Sequence, residues 1–410
     1  MDRVVVVGAG QAGVQVADSL RAGGFEGAVT LLGEETALPY QRPPLSKDYL
    51  APDGDPAPLP LRSAAFFDRN GIDFRPGMRV AAIDRTSRAV ALDDGRTLPY
   101  TALVLATGAA ARTLAVPGHN LAGVHRLRTL EDAEQLRAEL SEARSAVVVG
   151  AGFIGLEFAA AARRQGVTVT VLEAAERPLG RALSGTMARH LARAHRGMGT
   201  ELRLGERLAG LVGRHGRVVS AVGTSGAEYP ADLVLVGVGV RPRDELATRA
   251  RLAVDDGILV DARLRTSDPV VHAIGDCAAF PTASGARVRL ESVQNATDQA
   301  RHVAETILGG TADYAPVPWF WSHQGTLRLQ IAGLRQPGDT TVVSGDVRAG
   351  RFSVHCFRHG ELVAVESLNR PADHTAARRL LPTKLLPTPE QVAQPGFSLK
   401  DHAGQLATTR

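Results

Sequence analysis

Two short glycine runs hold the residues of this chain best suited to chemistry. One reads Gly8-Ala9-Gly10-Gln11-Ala12-Gly13, the other Gly150-Ala151-Gly152-Phe153-Ile154-Gly155. In a Gly-x-Gly-x-x-Gly run the first glycine allows a tight turn and the second lets a pyrophosphate approach the backbone. The third lets helix and strand pack closely. An acid follows each run one strand later, Glu34 in the first case and Glu173 in the second. A carboxylate at that point accepts hydrogen bonds from an adenosine ribose and repels a 2′-phosphate. Glu173 therefore points to NADH rather than NADPH, although Arg177 and Arg181 lie close enough in sequence to hold a phosphate. Two complete sets imply that two dinucleotides bind one chain.

These residues need strands and helices to aim them, and the flanking sequence supplies both. Val4-Val5-Val6-Val7 and Val147-Val148-Val149 read as buried strands, and an Ala-rich helical stretch follows each glycine run. A helix starting there turns its free N–H groups and positive dipole end toward phosphates. Further buried strands are expected at residues 100–108, 232–239 and 270–276, the last opening on Gly275-Asp276. That strand has no partner inside the second nucleotide unit, and a first unit ending near residue 110 would be incomplete without it. The second unit is therefore expected to be inserted into the first. Thr129 with Asp132 three residues on predicts a capped helix over 129–142, and another helix is expected over 294–308. Residues 39–60 form a Pro-rich, irregular stretch too long for an ordinary connection, which suggests function. Beyond Pro316 alternating strands are expected at 327–332, 340–343, 352–357 and 362–367, then a short helix and a polar tail.

The expected class is α/β, with two Rossmann-like dinucleotide-binding domains, one inserted in the other, plus a C-terminal α+β domain. The expected boundaries are 1–110 with 241–316 for the first dinucleotide-binding domain, 111–240 for the inserted one, and 317–410 for the last domain. A chain of 410 residues has room for two or three domains. It contains no run near the ~20 apolar residues of a membrane span, and Met1-Asp2-Arg3 leads directly into the first strand. A cytoplasmic protein is expected. Cys277 and Cys356 form no redox pair in sequence. Only three of the 47 basic residues are lysines, Lys47, Lys384 and Lys400, which makes Lys47 conspicuous. The net charge of +4 is compatible with an acidic protein partner, and equally with an ordinary, slightly basic enzyme. Nothing points to nucleic acid.

Further landmarks are Arg42-Pro43-Pro44-Leu45-Ser46-Lys47, Ala106-Thr107-Gly108, Gly155-Leu156-Glu157, Gly275-Asp276, Glu291-Ser292-Val293-Gln294-Asn295-Ala296 and Pro318-Trp319-Phe320-Trp321-Ser322. With the glycine runs, they make essentially the whole chain resemble the FAD-dependent ferredoxin reductases of oxygenase systems. This is the family of putidaredoxin and aromatic dioxygenase reductases, within the glutathione-reductase-like flavoproteins. The resemblance implies hydride transfer from NADH to FAD, then single electrons to a 2Fe–2S ferredoxin that feeds an oxygenase. It implies that Gly8, Gly10, Gly13, Glu34 and Arg42 bind the ADP half of FAD, and that Asp276 bonds its ribityl or pyrophosphate region. Lys47 would reach the flavin near N5 and pair with Glu157, while Trp321 would lie near the ring. Gly150, Gly152, Gly155 and Glu173 would serve NADH. Thr107, Val293, Ile154, Arg181 and Gly239 complete the cofactor-binding set. The helix starting near Ser292 would aim its dipole at the flavin's N1/C2=O edge.

The chain departs from the family pattern in two places. Relatives usually carry Asp-Gln-Tyr-Asp where this chain has His323-Gln324-Gly325-Thr326, near the expected ferredoxin face. Arg243 stands where an Asn commonly follows the proline of Arg241-Pro242. Reduction of rubredoxin, a disulfide or a peroxide is an alternative, as is a nucleotide-dependent redox sensor. The loop at residues 43–47 lacks the cysteine that thiol or peroxide chemistry needs, and Cys277 beside Asp276 leaves that reading a small opening. His355-Cys356 with His359 could suggest a metal, but Gly360 marks a hairpin turn there, so no metal is expected. A monomer or a homodimer is compatible with the sequence.

Overall fold

A computed structural model describes residues 2–51, 60–282, 285–383 and 385–408. Part of the Pro-rich stretch (residues 52–59) and Lys384 lie outside the described residues. Contacts divide the chain into two units. One holds Met1–Gln41, Ala57–Ala110 and Val240–Pro316; the other holds Arg42–Pro56, Ala111–Gly239 and Val317–Arg410. The chain thus leaves the first unit and returns to it at Val240. The expected boundaries keep residues 42–56 in the first unit, whereas contacts group them with the second. The reason is local: the Arg42 guanidinium donates to the Arg128 carbonyl, and Gln165 donates to the Leu50 carbonyl.

In the first unit a parallel sheet runs in the order Val271–Ala273, Ala102–Leu105, Arg3–Val7, Ala28–Leu32, Ile72–Arg75. Its three inner strands are buried on both faces, which is why they read as Val/Leu-rich runs with no alternation. The Val271–Ala273 strand supplies the edge that the sequence requires from after residue 240. The second unit repeats the plan as Glu201–Leu204, Thr168–Glu173, Ser145–Val149, Leu233–Val236, Val124–His125, again parallel. In each sheet the chain reverses its direction of winding beside the glycine-bearing strand. Ligands of such sheets bind at that switch point, beyond the carboxyl ends of the strands.

The second unit also contains an antiparallel sheet ordered Trp319–Gln324, Leu327–Gly333, Glu361–Leu368, Arg351–Arg358, Thr340–Asp346. It has its own apolar core around Ala332, Phe357, Val365 and Leu380. The first of these strands is not among those expected from the sequence, because Trp-Phe-Trp shows no apolar–polar alternation. His359 and Gly360 take positive φ in the hairpin between Arg358 and Glu361, as the glycine there suggests. Thr129 and Asp132 form the expected capping box on the helix Leu130–Leu140. The other expected helix spans Val293–Ile307. Among the described residues no helix is long and apolar enough to cross a membrane.

Candidate active site

The two glycine turns are built alike. Gly8 has φ of +111°, and a Cβ on it would stand 2.2 Å from the Ala106 carbonyl oxygen; on Gly13 it would stand 1.8 Å from the Gly8 oxygen. In the second turn Gly150 has φ of +103° with the Gly237 oxygen 2.5 Å from a Cβ, and Gly155 meets the Gly150 oxygen at 2.2 Å. The fold itself therefore demands the first and third glycines. The middle ones differ. A Cβ on Gly10 would meet nothing within 4 Å, and one on Gly152 only the Gly237 oxygen at 3.8 Å. Gly10 and Gly152 cap the helices Gln11–Ala22 and Phe153–Arg164, whose first N–H groups face the same opening. Open space beside uncapped amides is what a pyrophosphate needs, so both cradles fit a dinucleotide.

The two acids are held differently. Glu34 pairs with Arg243 and, at 3.7 Å, with Arg79. Arg243 thus replaces a neutral residue with the cation that faces this acid. Its carbonyl accepts from Thr107 Oγ1 at 2.6 Å and its N–H donates to the Gly108 carbonyl, joining two loops at the strand ends. Glu173 accepts from the Ala151 amide at 2.7 Å, inside the glycine turn, and from the Ala175 amide at 2.9 Å. Arg177 and Arg181 are exposed, and so is Arg189. Ile154 lies in the first turn of the second nucleotide helix, and the Gly239 carbonyl accepts from the Arg112 amide.

Within the first unit the Gly275–Asp276 turn closes on the same cradle. Gly275 has φ of +76°, its amide donates to Gln299 Oε1 at 2.7 Å, and a Cβ on it would approach the Ala12 side chain to 3.2 Å. Gln11 reaches Thr297 at 3.2 Å, so the starts of Gln11–Ala22 and Val293–Ile307 converge. Ser292 caps the second of these helices, with Val293 as its first residue. Cys277 follows Asp276 but lies in the core, its thiol 3.3 Å from the Ile274 carbonyl oxygen. Burial raises its pKa, which keeps the thiol protonated and unreactive.

The second unit assembles the pair that the sequence singles out. Lys47 Nζ donates to Glu157 Oε2 at 2.7 Å and to the Pro43 carbonyl at 2.9 Å. The pair is almost dry, with Lys47 17% and Glu157 5% exposed. Two serines complete the carboxylate's shell: Ser46 Oγ donates to Oε2 at 2.5 Å and Ser322 Oγ to Oε1 at 2.6 Å. Removing two ions from water costs several kcal/mol each, so such a pair contributes little to stability. Both serines stand inside sequence landmarks, but residue type alone gives neither of them a role. For Ser46 a signal is nonetheless present, since it adjoins Lys47, whereas Ser322 shares a face with Gln324 only once the strand is known. Trp321, half-buried on the same strand, lies tilted 5.5 Å from Trp319, over which Arg378 lies at 4.1 Å. His323 lies on the same strand face as Trp321, opposite Ser322 and Gln324, where partial desolvation and the nearby Lys47 lower its pKa.

Residues 2–300 match the family described as pyridine nucleotide-disulphide oxidoreductase, and residues 319–403 match the reductase C-terminal family. The chain belongs to the pyridine nucleotide-disulphide oxidoreductases. It is 50% identical over 398 residues to rhodocoxin reductase of Rhodococcus erythropolis, covering 97% of this chain and 93% of that one. A ferredoxin reductase structure from Rhodopseudomonas palustris matches at 45% identity with a TM-score of 0.96, over 98% of this chain and all of that one. The covalent putidaredoxin reductase–putidaredoxin complex matches at 37% identity and a TM-score of 0.95, over 98% of each chain. This chain is an oxidoreductase that uses FAD and NAD(P)H. Among the described residues no three His, Cys, Asp or Glu side chains gather as a metal site would require, and His355 and Cys356 are buried in the C-terminal sheet.

Proposed function

We propose that this chain carries electrons from NADH through FAD to a 2Fe–2S ferredoxin that serves an oxygenase. A bound flavin takes two electrons as hydride and can release them singly, which lets a two-electron donor feed a one-electron acceptor. Gly8, Gly10 and Gly13 with the start of Gln11–Ala22 hold the FAD pyrophosphate, assisted by Asp276, Thr107 and Val293. Glu34, with Arg243 on it, takes the adenosine end, and Arg42 belongs to the same set. Gly150, Gly152, Ile154, Gly155 and Gly239 receive NADH, and Glu173 selects it over NADPH. Arg181, with Arg177, lies close enough in sequence to oppose that choice. Lys47 and Glu157 keep charge and a proton in balance during hydride arrival, and Trp321 stands on the exit side. A cytoplasmic location fits two unpaired, buried cysteines.

The observation that carries this reading is the repetition of one cradle, open at its middle glycine both times, together with a buried Lys–Glu pair in the second unit that stability does not explain. The test is direct. Purified protein is expected to hold one FAD per chain and, with a panel of 2Fe–2S ferredoxins, to reduce cytochrome c with NADH. A colourless protein that takes up no added FAD contradicts it. Yellow protein whose flavin NADH reduces, but which passes no electrons to any ferredoxin, favours a redox sensor.

A further inference from the structure

A buried hydrogen-bond chain leads away from the Lys47–Glu157 pair. Glu157 Oε1 accepts from Ser322 Oγ at 2.6 Å, Ser322 Oγ accepts from Gln324 Nε2 at 3.1 Å, and Gln324 Oε1 lies 2.8 Å from His195 Nε2. All four are shielded from water, His195 and Ser322 being 0% exposed. Two elements bring them together. Ser322 and Gln324 alternate on one face of Trp319–Gln324, and His195 comes from the last turn of the helix Gly185–Gly197. The other end of that helix is fixed too, because the Ser184 amide and hydroxyl donate to buried Glu366 at 2.7 and 2.6 Å.

The direction of every bond follows from its acidic end. A carboxylate only accepts, so the single Ser322 proton points at Glu157. Ser322 Oγ must then accept from the Gln324 amide nitrogen, which turns the Gln324 carbonyl toward His195. Nε2 of His195 must therefore carry a proton. Its Nδ1 is buried and finds no partner among the described residues, so the Nε2 bond alone fixes the ring. Burial also lowers the pKa of His195, with the Gln324 bond opposing, which favours the neutral ring. Polar chains like this specify one arrangement of a core, and leaving any member unsatisfied is costly.

We propose that His195 is a positioning residue for the Lys47–Glu157 pair, acting as its neutral Nε2–H tautomer through Gln324 and Ser322. This inference rests on the reading that the pair serves flavin reduction. Without the His195 donor, the Gln324 amide is free to turn over and offer its carbonyl to Ser322. The Ser322 proton then leaves Glu157, and the carboxylate loses one of its three donors.

Two substitutions separate this role from packing. His195→Gln can place an amide N–H where Nε2 donates, whereas His195→Leu fills the space with no donor. In stopped-flow, His195→Leu is expected to slow flavin reduction by about tenfold at saturating NADH, with unchanged nucleotide affinity, and His195→Gln to restore most of the rate. The readout independent of turnover is ¹⁵N-histidine NMR of the FAD-loaded protein without NADH. The His195 signal, assigned by its loss in His195→Leu, should show the Nε2–H pattern, and Ser322→Ala should convert it to a tautomer mixture. An Nδ1–H or doubly protonated ring in the wild type overturns the proposal. So does a wild-type rate in folded His195→Leu, or a His195→Gln variant as slow as the leucine. If His195→Leu does not fold, the wild-type and Ser322→Ala spectra decide, with the signal assigned by His195→Gln. A wild-type flavin that NADH fails to reduce sinks the functional reading instead, while the spectra still report the polarity of the chain.

Discussion

The two nucleotide helices begin on the same kind of glycine turn and carry different side chains, of which one pair differs most in what it gathers. Gly8, Gly10 and Gly13 correspond to Gly150, Gly152 and Gly155, with the same clashes awaiting a Cβ at the first and third and the same open space at the middle. Two residues beyond the third glycine stand Gln15 and Glu157. Gln15 is half-buried and donates to Ser19 one turn along its own helix. Glu157 is buried and gathers Lys47, Ser46 and Ser322 from two other segments. The cradle is thus a repeated backbone device shaped for a dinucleotide, and only in the second copy does the following side chain gather polar partners from other segments.

The middle glycines provide the sharpest way to break this parallel. Gly10→Val and Gly152→Val both point into open space, so both proteins should fold with near-native melting temperatures. Gly10→Val is expected to come out colourless. Gly152→Val should keep its FAD and lose NADH catalytic efficiency by roughly a hundredfold, about 2.7 kcal/mol. Equal loss of flavin in both variants would show that the cradles do not divide the nucleotides between them.

The acids supply a smaller contrast. Glu173 is tied to backbone amides and, among the described residues, pairs with no arginine, whereas Glu34 is matched by Arg243. Glu173 should favour NADH over NADPH by roughly tenfold in kcat/KM, about 1.4 kcal/mol. Steady-state assays with both coenzymes check this, and equal efficiencies would mean that Arg177, Arg181 or Arg189 offsets the carboxylate. Glu34→Gln, by comparison, should leave that preference alone.

Acid should weaken both units, because each has a histidine inside a sheet, and the second has His374 lowered to about 4 as well. Burial lowers the pKa of His272 in the first unit and of His355 in the second from 6.5 to about 4. The unfolded chain takes up these protons first, so stability is complete above 6.5 and falls as pH drops toward about 4. For each histidine the loss is about 1.4 kcal/mol per pH unit within that window. Urea denaturation across this range should show the decline, and His355→Phe should make it shallower. A flat profile would mean that these rings are hydrated.

Much of this arrangement is legible in the sequence because it is local. Strand–glycine–helix units, the Thr129 capping box and the Gly360 hairpin are each fixed by neighbouring residues, and each appears where the residues place it. That the strand before Gly275 joins the first sheet also follows, from its lack of a partner in the second unit. What escapes depends on contacts across long stretches of sequence. Ser46, Ser322, Gln324 and His195 are ordinary polar residues until folding brings them to Glu157. The Trp319–Gln324 strand shows no alternation, and without it Ser322 and Gln324 cannot be seen to share a face. Arg243 reads as a departure from a family pattern, and only the structure shows it facing Glu34.

The most direct test of the account compares Glu157→Gln with Gln15→Glu in one stopped-flow experiment, following flavin absorbance after mixing with NADH. Both variants should retain FAD and fold. Glu157→Gln is expected to slow flavin reduction by tenfold or more, about 1.4 kcal/mol, because the carboxylate facing Lys47 is gone. Lys47→Met should shift the flavin spectrum or potential as well, since it removes the pair's cation. Gln15→Glu, at the matching position of the first helix, should reduce its flavin at the wild-type rate. Wild-type kinetics in Glu157→Gln with full FAD occupancy would contradict the account, and would return the Lys47–Glu157 pair to a structural role.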